Sequence, residues 1–428
     1  MLGENSSAIR PDLQHIVDEF CPDFKPFEDV YRTLHQDPEL SLHESKTSQI
    51  AADFMRDLGF DEIVQNIGGY GLVGILRNGP GPTVMLRADM DALPQQEKTG
   101  LPYASNKVVK NKDGNETPVM HACGHDFHVA ALMGVAKLLH SARGKWSGTL
   151  ECLFQQAEED GAGALKMVED HLFDRVPVPD VLLGSHVVGN GAGTILIRSG
   201  PTQSSCDCFD VRIFGVGGHG SNPHLCKDPI IAACSIVLRL QSLVSREVPP
   251  GEVAVLTCAY LHAGRAINII PDHVDMKIDL RTYKPDIRKM VVQAVHRVIR
   301  AECEASGLPE PPSITQTDDI PAVVNDIGVV ATLEKVFRQR FGDKVQHVEP
   351  ELGSDDFSIL GAARGIPYCY WKYGGTDMAK WEKAKRENKL AEIPRNHSPY
   401  FGPVIQPTLC TGLLSMSLAA LAHLGVKS

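Results

Sequence analysis

The residues best suited to chemistry lie in the run His121-Ala122-Cys123-Gly124-His125-Asp126. A thiolate and an imidazole two positions apart in a turn can face one point, and the glycine between them lets the backbone fold tightly. A helical pattern follows at once, so the positive helix end is expected to favour Cys123 as thiolate. Sulfur, imidazole and carboxylate together suit zinc or another divalent first-row ion better than calcium or magnesium. His121 and His128 read as residues that cap and pack this helix. Cys123 also admits a second reading, as a nucleophile with a histidine base.

The second piece is Gln155-Gln156-Ala157-Glu158-Glu159. Glu159 can ligate a metal while Glu158, aimed at an open coordination position, takes a proton from water whose pKa a metal lowers from about 15.7 toward 7. The same carboxyl group can later protonate the departing amine. Two metals would hold the substrate carbonyl and the nucleophile together. Taken alone, two adjacent glutamates are usually a solvated loop, and a lone histidine such as His186 is usually a satisfied surface or core residue.

Position is what changes that balance. Apolar runs at 83–86, 149–154 and 181–183 lead into Arg87-Ala88-Asp89-Met90-Asp91, into the glutamate pair, and into Gly184-Ser185-His186. Open parallel sheets carry their sites beyond the carboxyl ends of strands. Helical patterns at 26–40, 45–58 and 125–140 alternate with strand patterns at 71–76, 83–86, 149–154 and 181–183, which predicts an α/β domain with a central, mostly parallel sheet flanked by helices. After Pro201 the pattern changes. Strands near 209–213, 253–260 and 274–280 alternate with helices at 228–247 and 286–305, and a Pro-rich exit follows at 308–312. This βαββα run matches the ferredoxin-like βαββαβ order up to its last strand and predicts an inserted ferredoxin-like α+β domain at 201–319, between catalytic segments 1–200 and 320–428.

The chain has 428 residues, 43% hydrophobic and 22% charged, with a net charge of −11. That size favours two domains. The acidic balance argues against a nucleic-acid or membrane binder, which needs a basic face, and favours a small organic substrate. Eleven cysteines show no paired framework. The first twenty residues lack a basic stretch followed by an apolar one, so a secretory signal is not expected and a reducing cytoplasm is. The apolar tail at 409–424 is short and interrupted by Thr411, Ser415 and Ser417, as in a buried helix rather than a membrane span.

Taken together, these residues resemble the metal-dependent amidohydrolases of the aminoacylase and carboxypeptidase superfamily, in the branch with hippurate hydrolase and the plant indole-acetyl-amino-acid hydrolases. The resemblance runs through 34–40, 87–94, 120–126, 155–159, Gly217-Gly218-His219-Gly220, Asn268-Ile269-Ile270-Pro271-Asp272, Gly353-Ser354-Asp355-Asp356-Phe357 and Asn396-His397-Ser398-Pro399. It implies that Cys123, His125, Glu159, His186 and His397 bind two divalent ions per subunit, zinc or manganese. It also implies Glu158 as general base and Asp89 as a support behind the ligands. The inserted domain would be a lid that forms a homodimer or higher homo-oligomer. His219 would stabilise the oxyanion from that lid, with Asn268 and Arg281 as substrate-binding residues. Arg281 also reads as an ordinary exposed strand residue.

Some features depart from that pattern. Gln156 replaces the usual proline, the stretch 106–118 is long, and 378–395 is a charged insertion before His397. The expected reaction is hydrolysis of an N-acyl amino acid or amino-acid conjugate. A dipeptidase or carboxypeptidase, a thiol enzyme using Cys123, and a metal-binding scaffold without catalysis are the rivals.

Overall fold

Four strands with few exposed residues, Thr83–Asp89, Thr149–Gln155, Val181–Gly191 and Tyr368–Thr376, form the parallel centre of an eight-stranded sheet in the computed structural model. The structure describes residues 13–110 and 114–427. Sheet order runs Glu62–Ile67, Gly71–Arg77, Thr149–Gln155, Thr83–Asp89, Val181–Gly191, Tyr368–Thr376, Ile195–Ile197 and Val345–His347. The first three pair antiparallel, so the sheet is mixed and mostly parallel. Near-complete burial explains why these strands read as continuous apolar runs. The ladders continue past the apolar residues, pairing Asp89 with Gln155. Sequence reading stopped at Leu86, Phe154 and Leu183 because it followed side chains, whereas polar residues at strand ends still pair through their backbones.

Helix His125–Ser141, whose apolar spacing predicts one buried face of Val129, Leu132, Met133, Ala136 and Leu139, is buried on nearly every side. Helices Lys25–Gln36 and Ile405–His423 both pack against it. At Gly134 a Cβ would lie 2.2 Å from Leu413 Cδ1, so Gly134→Ala would overpack this contact at a cost of about 1–3 kcal/mol. Helix Ile405–His423 is long and apolar enough to span a membrane, but 78% of its apolar window is buried inside the protein. The N-terminal reading falls largely on residues 1–12, and part of the 106–118 stretch on 111–113, both outside the described residues. The rest of that stretch pairs Val108–Lys110 with Glu116–Pro118, and 378–395 contains helix Met378–Arg386.

The chain divides into two units. The first runs to Gly200 and resumes for Asn325–Glu349 and from Ile359 onward; the second comprises Pro201–Val324 and Pro350–Ser358. In the second, four antiparallel strands lie in the order Ala254–Ala263, His273–Thr282, Cys206–Phe214, Ser313–Ile320. Phe209, Val211, Ile213, Val274, Met276, Ile278 and Leu280 pack into one core with helices Pro229–Arg246 and Pro285–Ala305. The order is the ferredoxin-like βαββαβ arrangement. Its last strand, Ser313–Ile320, follows the Pro-rich stretch that sequence reading took as the exit.

Candidate metal centre

Strand Thr83–Asp89 delivers Asp89 fully buried at its carboxyl end. Arg87 Nη1 donates to Asp89 Oδ2 at 2.5 Å, and His128 Nδ1 meets Oδ1 at 2.5 Å. Burial pushes the Asp89 carboxyl up, but Arg87, His125 and His128 outweigh it and hold it well below the usual carboxylate range. Two residues on, Asp91 ties the site together. Its Oδ2 accepts from Ser41 Oγ at 2.7 Å and from the Glu159 backbone N–H at 2.9 Å. Its backbone oxygen lies 2.9 Å from His125 Nδ1.

That contact makes Nδ1 of His125 the donor and points Nε2 inward. Gly124 sits at φ +86, and a Cβ there would lie 2.4 Å from Val187 Cγ1; only glycine fits this turn. It sets Cys123 and His125 on either side of the helix start. His186 Nδ1 donates to Val187 O at 2.7 Å, leaving Nε2 facing Cys123 Sγ at 3.4 Å. Burial and His128 push the His186 imidazole well below its usual value, so it is neutral. His128 Nε2 accepts the Val187 N–H at 2.9 Å. Both its ring nitrogens are thus engaged, and it orients Asp89 instead of offering a lone pair to an ion.

The Gln155–Glu159 turn is tightly shaped. Ala157 adopts φ +50, its N–H donates to Glu44 Oε1 at 2.8 Å, and a Cβ on Gly163 would fall 1.7 Å from Gln156 O. Gln156, standing where the resemblance expects proline, donates through Nε2 to Gly68 O at 3.0 Å. Glu158 Oε2 and Glu159 Oε1 lie 3.8 and 3.9 Å from His125 Nε2. His397 arrives from far along the chain. Its N–H donates to Ala122 O at 2.8 Å, and Asn396 Nδ2 donates to Cys123 O at 2.9 Å. His397 Nε2 then lies 3.3 Å from Glu159 Oε2, with its side chain 58% exposed at the rim.

These donors fit a cation. Ligand atoms of Cys123, His125 and Glu159 lie within 4.8 Å of one another, as do those of Asp89, His125 and His186. His125 Nε2 and Glu159 Oε1 are buried without a hydrogen-bond partner among the described residues. Each such group costs about 1–3 kcal/mol unless something fills it. The field agrees: burial pushes His125 down, yet Asp89, Asp91 and Glu159 lift it to about 10. The helix end is not the strongest influence on Cys123. Burial, Glu159, Glu158 and Asp89 push its thiol well above its ordinary value, so a thiolate needs a cation among those carboxylates.

The remaining residues that the sequence suggested for the site lie in the second unit. His219 is exposed on the short pair of Gly218–His219 with Ile269–Ile270. Its Nδ1 accepts the Ser221 N–H at 3.1 Å. Asn268 is adjacent, its carbonyl accepting the Gly220 N–H at 2.8 Å. Arg281 is not with them. It lies near the other end of strand His273–Thr282, donating to Asp279 at 2.8 Å and to Ser354 Oγ at 2.9 Å.

Residues 85–392 match the sequence pattern of peptidase family M20/M25/M40. The chain belongs to this family. It is 34% identical over 349 residues to the hippurate hydrolase of Campylobacter jejuni, covering 80% of this chain and 87% of that protein. Among solved structures it resembles a putative aminohydrolase from methicillin-resistant Staphylococcus aureus, with TM-score 0.82, 30% identity, and 96% and 99% of the two chains covered. It also resembles the Bacillus subtilis YXEP protein, a dinuclear metal binding peptidase of the M20 family, with TM-score 0.73, 28% identity, and 94% and 98% covered. Like the M20 hydrolases, the chain is a metal-dependent amidohydrolase.

In this M20 chain, sequence reasoning left Asp91 and Glu44 without a role. Asp91 stood in the strand-end motif, and its place after Asp89 was the available signal. Glu44 had none, since its contact with Ala157 spans 113 positions.

Proposed function

We propose that this enzyme hydrolyses the amide bond of N-acyl amino acids or amino-acid conjugates, using two divalent ions, zinc or manganese, held by Cys123, His125, Glu159, His186 and His397. The buried, unpartnered His125 Nε2 and Glu159 Oε1 beside Glu158 carry this reading. Such ions, when bound, acidify water and polarise the carbonyl. Glu158 takes a proton from the attacking water as its oxygen bonds to the carbonyl carbon. The carbon–nitrogen bond then breaks, and Glu158 returns the proton to the leaving amine. Asp89 and Asp91 hold the ligands in place from behind. A cavity of about 720 Å³ beside Glu159, lined by Leu93, Pro94, Lys107, Val109 and Lys110, suits the acyl group.

His219 serves the oxyanion. Because Nδ1 accepts a backbone N–H, the neutral ring carries its proton on Nε2, free to donate. From His273 to Arg281 a strand advances roughly 26 Å at about 3.3 Å per residue. His219 and Asn268 therefore cannot meet the same small substrate as Arg281 within one copy of this unit. A homodimer, with His219 and Asn268 given to the partner's site, resolves this. Its interface would be the edge strand Ala254–Ala263, with Tyr260 and Leu261 exposed, and helix Pro229–Arg246, with Ile231 and Leu238 exposed. Eleven free cysteines accord with a reducing cytoplasm.

A panel of N-acyl amino acids and dipeptides, assayed with metal content measured on the same sample, tests the proposal. Faster turnover of the dipeptides would replace it with a dipeptidase or carboxypeptidase. Activity that survives metal removal by a chelator would return Cys123 as nucleophile.

A further inference from the structure

We infer that the open face of the second unit's sheet holds a separate site for a thiophilic divalent cation, built from Cys206, Cys208 and Asp279 with Asp318 beside them. The inference is independent of the catalytic reading, since none of these residues belongs to the centre described above.

The sheet itself assembles the group. Phe209, Val211 and Ile213 face the helices, so the alternate positions Cys206 and Cys208 face away from them. Cys208 pairs with Asp279 on one neighbouring strand and with Asp318 on the other. Residues directly opposite in a ladder share a face at about 5 Å between Cβ atoms. One row across three strands therefore reads carboxylate, thiol, carboxylate, with the second thiol two residues along.

The distances decide what such a row can hold. Cys206 Sγ and Cys208 Sγ are 3.6 Å apart, and they lie 3.7 and 3.6 Å from Asp279 Oδ1. In a tetrahedral zinc site, metal–sulfur bonds of about 2.3 Å and metal–oxygen bonds of about 2.1 Å place sulfurs about 3.8 Å apart and sulfur about 3.6 Å from oxygen. The three atoms already form one face of that tetrahedron. Asp318 or water completes it. Cys206 is buried, while Cys208, Asp279 and Asp318 are half-buried, which gives an ion a way in. Arg281 Nε also donates to Asp279, at 2.8 Å to Oδ1 and 3.0 Å to Oδ2, and a carboxylate has lone pairs for both. Two thiols with oxygen donors select zinc, cadmium or cobalt(II) over magnesium or calcium.

The test uses the full chain, saturated with zinc and freed of loosely bound metal. The double variant Cys206→Ser/Cys208→Ser should carry one ion fewer per chain than wild type. Cys123→Ser should retain that ion. With cobalt(II), thiolate-to-metal absorption should persist in Cys123→Ser and weaken in the double variant. Peptide-mapped alkylation of the wild type gives a readout that needs no variant: zinc should protect Cys206 and Cys208, and a chelator should expose them. Equal alkylation with and without zinc would overturn the site and leave a hydrogen-bonded thiol pair. Protection relieved by a reductant but not by a chelator would overturn it in favour of a disulfide.

Discussion

The carboxyl end of the parallel sheet and the tip of the second unit both present histidines for chemistry, but they hold them in opposite ways. His125 and His186 are buried, each with one ring nitrogen fixed by a backbone carbonyl and the other turned inward. His219 is exposed, and its ring is fixed by its own turn at Ser221. A ligand must be oriented before the ion arrives, because freedom lost on binding weakens affinity. A lid residue needs only its proton on the correct nitrogen, and the rest of its environment comes with closure or a partner. The first region is built to hold charge; the second is built to meet something.

The largest expected effect lies in the first region. Glu158→Gln keeps the shape of the side chain but removes the proposed base, so turnover should fall by about 10²–10⁴-fold. Metal content should match wild type. A variant that retains most of its rate would move the base elsewhere. His219→Ala comes next, with an expected loss of about 10²–10³-fold in turnover and unchanged metal content, as for removal of one oxyanion donor. Mixing the two inactive variants distinguishes a lid acting within one chain from a lid acting across a dimer. If His219 serves the partner's site and subunits exchange freely, roughly a quarter of wild-type activity should return. No recovery despite proven exchange would place His219 and Glu158 at the same chain's site.

The two regions were not equally legible in the sequence. Cys123, Gly124 and His125 were readable because a turn and a helix start impose their geometry within a few residues. The glutamate pair and His186 became readable once the strand ends were aligned, which is a property of parallel sheets. His397 was not. Its place depends on backbone and Asn396 contacts to Ala122 and Cys123, 273 positions away in the Asn396 case, and only the family resemblance pointed to it. The helix at 125–141 looked one-sided because neighbouring helices, which cover its outer face, leave no local pattern. The thiolate expectation for Cys123 rested on a helix end, and the three carboxylates that make it depend on a cation arrive from other strands and turns.

Asp91→Ala tests whether orientation from behind is what separates the regions. It removes the acceptor of the Glu159 N–H and of Ser41 Oγ. Such support residues are worth about 10–100-fold in metal affinity. Competition with a chelator measures this directly. The corresponding change beside His219, Ser221→Ala, should leave metal affinity untouched. If Asp91→Ala also leaves it untouched, the ligands are held by their own packing and the contrast loses its cause.

The smallest catalytic effect is expected at Glu151, a buried carboxyl group in the same sheet that no described residue holds by a hydrogen bond. It is as buried as Asp89, but both its oxygens lack hydrogen-bond partners. Burial pushes its carboxyl up to about 8, with Arg77 only partly opposing. The folded state therefore keeps Glu151 protonated while the unfolded chain ionises it above about 4.5. This lowers stability progressively between those two values, by about 1.4 kcal/mol per pH unit. Glu151→Gln removes the proton and with it the pH-dependent loss. The introduced amide has no partner either, but that cost is constant with pH. Urea melts of both proteins should thus diverge from pH 5 to pH 8 by a few kcal/mol in favour of the variant, with turnover unchanged. A difference that stays flat over that range would mean Glu151 ionises normally, and that the sheet compensates buried charge in its middle as well as at its catalytic end.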